Sequence, residues 1–433
     1  MQLGNYKRYT AIEFYQKGHN RGHSLMRSET NTQQYVGVDV GTSAVRVVVG
    51  TVDEQGRPEI IGFSQIDNNG MRRGVVAHVD EVADAISQAL HDAERLSGRV
   101  VQSATVNING AHVQGFNSRG VIAISAANRE ITVDDRLRVE EAAAVMQLPA
   151  NREIIQIFPK AYRLDGQDNI KDPVGMQGVR LEVDTHIVTA STPNIRLLEN
   201  AAQKSSLVIR HRTVSSLASA EAVLTRQQKE AGTAVIDIGA GTTNIVVVED
   251  GEVQHVAVIP VGGMHVTNDL AIGLKTDLDI ADRVKVEHAS LAKPVRATVS
   301  VMVDKHQHTF VAEEVHMVVE ARIEELLELV DKELKRIGRS RKLPGGVIFT
   351  GGTANIKELA EYAKTKLELP ARIGRMNEVS GLADISENIA FATPIGLMLL
   401  DMLLDGQHAQ GHPNDYTGVV DNISSLFKRF KKR

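Results

Sequence analysis

Apolar residues along this chain follow two rhythms. Short continuous runs at Val101–Ile108, Thr185–Thr189 and Val347–Thr350 have the length and β-branched content of buried strands. Longer stretches between them repeat apolar residues three and four apart. Val82, Ala85, Ile86 and Ala89 share one face of Val79–Leu96. Val315, Val319, Ile323, Leu326, Val330, Leu334 and Ile337 form one stripe along Glu313–Ile337. The same spacing predicts helices over Asp134–Met146, Asn194–Lys204, Thr213–Gln227 and Ala354–Leu367, the last capped by Thr353. Strands alternating with helices make this an α/β chain.

Within that alternation one pattern occurs twice. Val36-Gly-Val-Asp-Val-Gly-Thr-Ser runs into the apolar stretch Val45–Val49, and Val235-Ile-Asp-Ile-Gly-Ala-Gly-Thr-Thr runs into Ile245–Val248. Each reads as a buried strand, an Asp near its end, a Gly turn with hydroxyl residues, and a second strand. Two such hairpins predict a duplicated core, one copy per lobe. A single Asp-x-Gly-x-Thr also suits an ordinary strand–strand turn; it is the pair that points to a ligand.

The residue types suit a nucleotide phosphate chain. Gly41, Gly239 and Gly241 let backbone N–H groups approach oxygens with no Cβ in the way. Thr42, Ser43, Thr242, Thr243 and Asn244 add side-chain donors. Asp39 and Asp237 would repel phosphate, so their role is to hold a hydrated Mg²⁺ that bridges it. Gly351 and Gly352, between a strand and a helix start, suit close approach of an adenosine or phosphate group. A Gly-x-x-x-x-Gly-Lys-Ser/Thr P-loop is absent.

Composition removes several alternatives. The 433 residues carry a net charge of −5 and no Cys or Trp, with aromatics at 4%. Thiol chemistry, disulfides and Cys-bound metals are excluded, and a nucleic-acid surface would be basic. The most apolar window, Ile389–Leu404, contains Pro394 and Asp401 and is too short to span a bilayer. The first thirty residues have no continuous apolar stretch and read as a polar, disordered extension rather than a secretory leader. Met26 is an alternative translation start within it.

The chain ends differently. In Ile423–Arg433, Ile423, Leu426, Phe427 and Phe430 fall on one helical face, and Lys428, Arg429, Lys431, Lys432 and Arg433 supply five positive charges. The rest of the chain therefore carries −10. A basic amphipathic helix behind the Gly- and Pro-bearing linker 404–422 predicts binding to anionic membrane lipids. A frayed basic tail docked on the protein's own core, or a nucleic-acid patch, is the competing reading.

The order of Asp39 hairpin, Ser215–Leu224 helix, Asp237 hairpin, Gly351-Gly352 turn and Glu387–Leu400 helix resembles the actin and heat-shock chaperone ATPase superfamily, from Tyr35 to Leu400. Three stretches narrow the resemblance to the FtsA family of bacterial cell-division proteins: Asn107-Ile-Asn-Gly-Ala-His-Val, Ile170-Lys-Asp-Pro-Val-Gly-Met-Gln-Gly-Val-Arg-Leu, and Ile259-Pro-Val-Gly-Gly-Met-His-Val-Thr-Asn-Asp-Leu. The resemblance implies an actin-like two-lobed ATPase fold with duplicated ribonuclease-H-like cores, an inserted subdomain in lobe one and a C-terminal amphipathic helix.

Its implied divisions are a head (1–33), a lobe-one core (34–103, 188–220 and 388–403), the insert (104–187), a lobe-two core (221–265 and 343–387), an outer lobe two (266–342), the linker, and the membrane helix 423–433. Ala218, Ala220, Ala390, Ala392 and Gly396 would sit between crossing hinge helices. Glu221 matches the position that orients attacking water, which makes Glu221, Asp237 and Asp39 the catalytic set, although a solvated helix Glu reads the same way. Lys285 and Glu287 match positions near the nucleoside.

The implied cofactors are ATP and Mg²⁺, with at most slow hydrolysis. Implied partners are further copies in head-to-tail filaments, later division proteins at the insert, membrane lipids, and the C-terminal tail of tubulin-like FtsZ. Arg322, Lys332, Lys335 and Arg336 are the candidates for that tail; basic charge at a helix C-terminus is their alternative explanation. The implied place of work is the inner face of the cell membrane at the septum. A small-molecule kinase of the superfamily shares the hairpins but needs a second motif for its base. A pilus-assembly adaptor shares the insert but fits the basic end less well.

Overall fold

The computed structural model describes residues 33–409 except 126–127, 146–147, 378, 383–384 and 386, with side chains described as far as Leu404. The polar head with Met26, most of the linker, and the candidate membrane residues Ile423, Leu426, Phe427, Lys428, Arg429 and Phe430 lie outside the described residues. No described helix is long and apolar enough to cross a membrane.

Two sheets repeat one plan. In lobe one the strand order is Val208–Val214, Ser103–Ile108, Tyr35–Val40, Ala44–Val52, Pro58–Asp67, with Ser380–Gly381 at the edge. In lobe two it is Ala371–Ile373, Gly346–Thr350, Thr233–Ile238, Thr243–Glu249, Glu252–Ile259. The first three strands of each series run parallel and the next two antiparallel. The duplication read from the two Asp motifs therefore extends to topology. Even the register matches, since Asp39 pairs with Arg46 and Asp237 with Asn244. All six residues of both Tyr35–Val40 and Thr233–Ile238 are buried, as continuous apolar runs require of central strands.

In the chain between lobe-one strands Ser103–Ile108 and Val208–Val214 comes a four-stranded antiparallel sheet, ordered Gln114–Ala123, Arg180–Ser191, Arg152–Leu164, Gln167–Ile170. Helix Val133–Ala144 covers one face, capped reciprocally by Thr132 and Asp135. The expected insert boundary at 104 cuts through strand Ser103–Ile108, which belongs to the lobe-one sheet; the extra sheet begins after it. Ser380–Gly381, expected in lobe two, pairs with Glu59 and Ile60 of lobe one.

Two helices join the lobes. Ser215–Val223 is buried at every position, and Ala392–Ala409 crosses it. A Cβ on Gly396 would lie 3.0 Å from Ala218 Cα, so the backbones touch where small residues were expected. Asp401 pins the second helix to lobe one: it accepts from Val36 N at 3.1 Å and Thr105 Oγ1 at 2.8 Å, and pairs with Arg210 at 3.2 Å.

Helix ends differ from expectation in three places. The second hinge helix, expected over Glu387–Leu400, starts at Ala392 after a 3₁₀ turn at Ile389–Phe391. Thr213–Gln227 breaks at Leu224 into Ser215–Val223 and Arg226–Ala231, because Thr225 starts a new helix with its own capping box. Ala354–Leu367 is a 3₁₀ turn at Gly352–Asn355 followed by helix Leu359–Leu367. Thr353 caps neither; its hydroxyl donates to the Gly239 carbonyl at 3.0 Å, tying this turn to the second hairpin.

Candidate functional site

The two Asp hairpins meet tip to tip. A Cβ on Gly241 would lie 2.8 Å from Thr42 Oγ1 and 3.1 Å from Arg73 Cα, so lobe two reaches lobe one only because residue 241 is glycine. Thr242 and Asn109 exchange hydrogen bonds across the same gap, at 3.0 and 3.3 Å. Each turn is closed by one backbone bond, Gly41 N to Ala44 O at 3.0 Å and Gly239 N to Thr242 O at 2.9 Å.

Behind the tips lie the carboxylates, both buried. Asp39 accepts from Asn107 Nδ2 at 2.6 Å, and Arg46 stands 3.9 Å away. Burial pushes its carboxyl up to about 7; Arg46 opposes that rise and the nearby Asp237 adds to it. Asp237 is raised as well, again through burial, although Asn244, Ser219 and Thr393 counter it by hydrogen bonding. Asp237 thus disfavours the charge of Asp39 out of water, an arrangement that a cation would relieve.

Other residues complete the surroundings. Asn107 also donates to Ser215 Oγ at 3.0 Å and accepts from Val40 N at 2.8 Å. Thr393 Oγ1 lies 3.4 Å from Asp237 Oδ2 and 2.8 Å from Ser219 Oγ. Thr350, beside Asp237 in the parallel ladder, is fully buried, and its hydroxyl has no partner among the described residues. Gly351 has φ +84°, and a Cβ there would overlap Asp237 Oδ1 and lie 2.6 Å from Ile238 O. The strand–helix turn can pass the carboxylate only as glycine.

Not every expected residue arrives at this place. Thr42 Oγ1 accepts from Gly74 N at 3.0 Å, and Ser43 stands exposed at the tip. Thr243 turns into its own lobe, spending its hydroxyl on Val261 O at 2.8 Å. Gly352 opens the 3₁₀ turn next to Gly351. Lys285 bonds Thr267 Oγ1 at 2.8 Å and pairs with Asp282, on the helix Leu278–His288 of outer lobe two, where Glu287 pairs with Arg283.

Glu221 is the largest departure. At about 100° per residue it points away from the helix face that carries Ser215 and Ser219. Its carboxylate pairs with Lys229 at 2.7 Å. The side chains that face the carboxylates from the hinge helices are the hydroxyls Ser215, Ser219 and Thr393. Asn107 lies in a stretch singled out in the sequence, whereas the roles of Arg46, Ser215, Ser219 and Thr393 had no local signal.

The basic run is also less free than its sequence implies. Arg322 pairs with Asp269 and Glu325, Lys335 with Asp331 at 2.7 Å, and Arg336 with Glu333 at 3.6 Å. Lys332 is exposed and has no ion pair among the described residues.

Comparisons with known proteins agree with this architecture. Residues 110–189 match the model of the SHS2 domain inserted in FtsA, and residues 234–396 match the model of cell division protein FtsA. The chain is 34% identical to cell division protein FtsA of Pseudomonas aeruginosa over 379 residues, covering 86% of this chain and 90% of that protein. It is 35% identical to FtsA of Bacillus subtilis over 373 residues, covering 85% and 83%. Among solved structures, a PilM–PilN type IV pilus biogenesis complex superposes with a TM-score of 0.63 at 16% identity, covering 85% of this chain and 98% of that one. MreB5 of Spiroplasma citri bound to ADP superposes with a TM-score of 0.52 at 14% identity, covering 88% and 99%. The last two establish an actin-like fold; the sequence matches establish the family. This chain belongs to the FtsA family of bacterial cell-division proteins.

Proposed function

We propose that this chain binds Mg²⁺–ATP between its two hairpins and polymerises head to tail on the inner face of the cytoplasmic membrane at the septum. There it tethers FtsZ filaments and recruits later division proteins through the inserted sheet. The observation that carries the nucleotide reading is the buried Asp39–Asp237 pair on facing, register-matched hairpins. Mg²⁺ fits this donor set. It would be held through water by Asp39 and Asp237, with the Thr350 hydroxyl, unpartnered among the described residues, in register with Asp237 on the neighbouring strand, and would neutralise charge on a phosphate chain. Gly41, Gly239, Gly241, Thr42, Ser43, Thr242 and Asn244 line the phosphate side, and Gly351 and Gly352 the nucleoside side. Nucleotide entry parts the Asn109–Thr242 contact, which makes the lobe arrangement sensitive to the ligand.

Hydrolysis on this reading is slow. The hinge face nearest the carboxylates presents hydroxyls, which are weak bases, while Glu221 is held by Lys229. Membrane attachment rests on Ile423–Arg433, whose single short helix is a weak anchor that filament avidity strengthens. For the FtsZ tail, an acidic peptide would meet Lys332 unopposed and would compete with Asp331, Glu333, Asp269 and Glu325 for Lys335, Arg336 and Arg322.

Deleting 423–433 should abolish co-pelleting with anionic liposomes while ATP binding persists, and Phe427→Glu should behave like the deletion. Undiminished pelleting of both variants contradicts the anchor.

A further inference from the structure

The inserted sheet touches more than the lobe it grows from. It is tied to lobe one near the root of the first hinge helix. There the buried Gln156 donates to Thr213 Oγ1 at 2.8 Å and accepts from Val214 N at 3.4 Å. It is also seated on lobe two. Strand Glu252–Ile259 is the outer strand of the lobe-two sheet, with one row of backbone groups facing away from that sheet. The insert covers that row. Val256 N donates to His186 Nε2 at 3.0 Å, and Lys171 pairs with Glu230 at 3.3 Å. Phe158 and Val188 of the insert share one buried cluster with Val246, Val253 and Val256. A Cβ on Gly115 would lie 2.6 Å from Val256 O, so the close seat requires glycine there.

His186 is the polar centre of this seat, 1% exposed. Its other nitrogen, Nδ1, lies 2.9 Å from Asn117 Oδ1. Because Nε2 accepts from a backbone N–H, the ring is neutral with its proton on Nδ1. A second proton on Nε2 would face the Val256 N–H with a donor and leave no acceptor. The ring stacks edge-on against His255, centroids 5.5 Å apart, and His255 Nε2 lies 3.0 Å from Glu333 Oε2. The charged groups facing the two rings are Lys160 from the insert and Arg336 and Glu333 from helix Ala312–Arg336. Two of these three are cations.

We infer that the insert is a strap between the lobes, fastened to the outer strand of lobe two by His186 and unfastened when the His186–His255 pair takes up a proton. Burial, then His255, Lys160 and Arg336, hold His186 down at about 3, and burial also lowers His255. The sign follows from this. A histidine whose seated pKa lies below its free value favours the seat above about pH 6.5 and loses that contribution as pH falls toward the seated value. Strand Glu252–Ile259 pairs with Thr243–Glu249, Val258 lying opposite Asn244, so release reaches the second hairpin directly. The inference stands whether or not the cleft takes a nucleotide.

The test is amide hydrogen exchange of the full chain, resolved at Val256 and corrected for the intrinsic rate. From about pH 7.5 to about pH 5.5, Val256 protection should fall roughly tenfold, while amides of strand Tyr35–Val40 hold theirs. His186→Gln can still accept from Val256 but does not titrate, which leaves His255 alone to respond, so its loss should be clearly shallower than the roughly tenfold native loss. Gly115→Ala should lose protection at both pH values. Unchanged Val256 protection in the native chain, an equally steep loss in His186→Gln, or full protection in Gly115→Ala overturns the strap.

Discussion

The two carboxylate hairpins share a backbone plan and differ in how their side chains are wired. Beside Asp39, one step along from the Val38–Val106 pair, stands Asn107, whose amide is spent on Asp39, Ser215 and Val40. Beside Asp237 stands Thr350, whose hydroxyl has no described partner. Opposite Asp39 is the cation Arg46; opposite Asp237 is neutral Asn244. Ser215 opens one hinge helix and bonds Asn107, whereas Thr393, near the start of the other, reaches Asp237 itself. Both carboxylates are hydrogen-bonded within the protein, but lobe one spends the amide of its ladder neighbour in full, while lobe two, the open half, keeps the Thr350 hydroxyl without a partner among the described residues. The two halves share a frame and differ in which polar groups around the carboxylate are already spent.

The largest expected effect compares the two glycine turns. Gly351→Ala, at φ +84° and overlapping Asp237, should destabilise the chain by about 3 kcal/mol or more. Gly110→Ala, in the turn that follows the corresponding lobe-one strand, at φ +111° with Gly74 O 3.0 Å from an added Cβ, should cost about 1–2 kcal/mol. Chemical denaturation measures both, and equal costs would break the asymmetry.

Next come the two ladder neighbours. Asn107→Ala strands the Val40 amide and the Asp39 carboxylate and should cost about 2–3 kcal/mol. Thr350→Val removes a hydroxyl without a partner, so stability should change by no more than about 0.5 kcal/mol while Mg²⁺–ATP affinity falls. If Thr350→Val proves as destabilising as Asn107→Ala, lobe two is not the open half.

Much of this was legible in the sequence because it was local. The Asp-Gly-hydroxyl hairpins, the helical stripe of 315–337 and the Gly351 turn each lie within one short window, where periodicity and turn chemistry speak directly. What escaped was set by distance along the chain. Asn107 meets Ser215 across 108 positions and His186 meets Val256 across 70. The Lys229 partner of Glu221 also escaped, because it depends on the helix phase anchored by Ser215 and Ser219 and on the next helix. The cations from Arg322 to Arg336 look free in a linear reading, but acidic residues one turn away, and Asp269 from another helix, already hold most of them.

The central claim is that Asp39 and Asp237 jointly hold a metal-bridged nucleotide. It is tested most directly by calorimetric titration of ATP into the full chain, with Mg²⁺ present and with Mg²⁺ chelated. The native chain should bind at least about tenfold more tightly with Mg²⁺, equivalent to about 1.4 kcal/mol. Asp237→Asn should lose most of that difference, and Asp39→Asn, whose site keeps Arg46, should lose less. ATP affinity that is the same with and without Mg²⁺ in the native chain, or a Mg²⁺ effect undiminished in Asp237→Asn, would contradict the account.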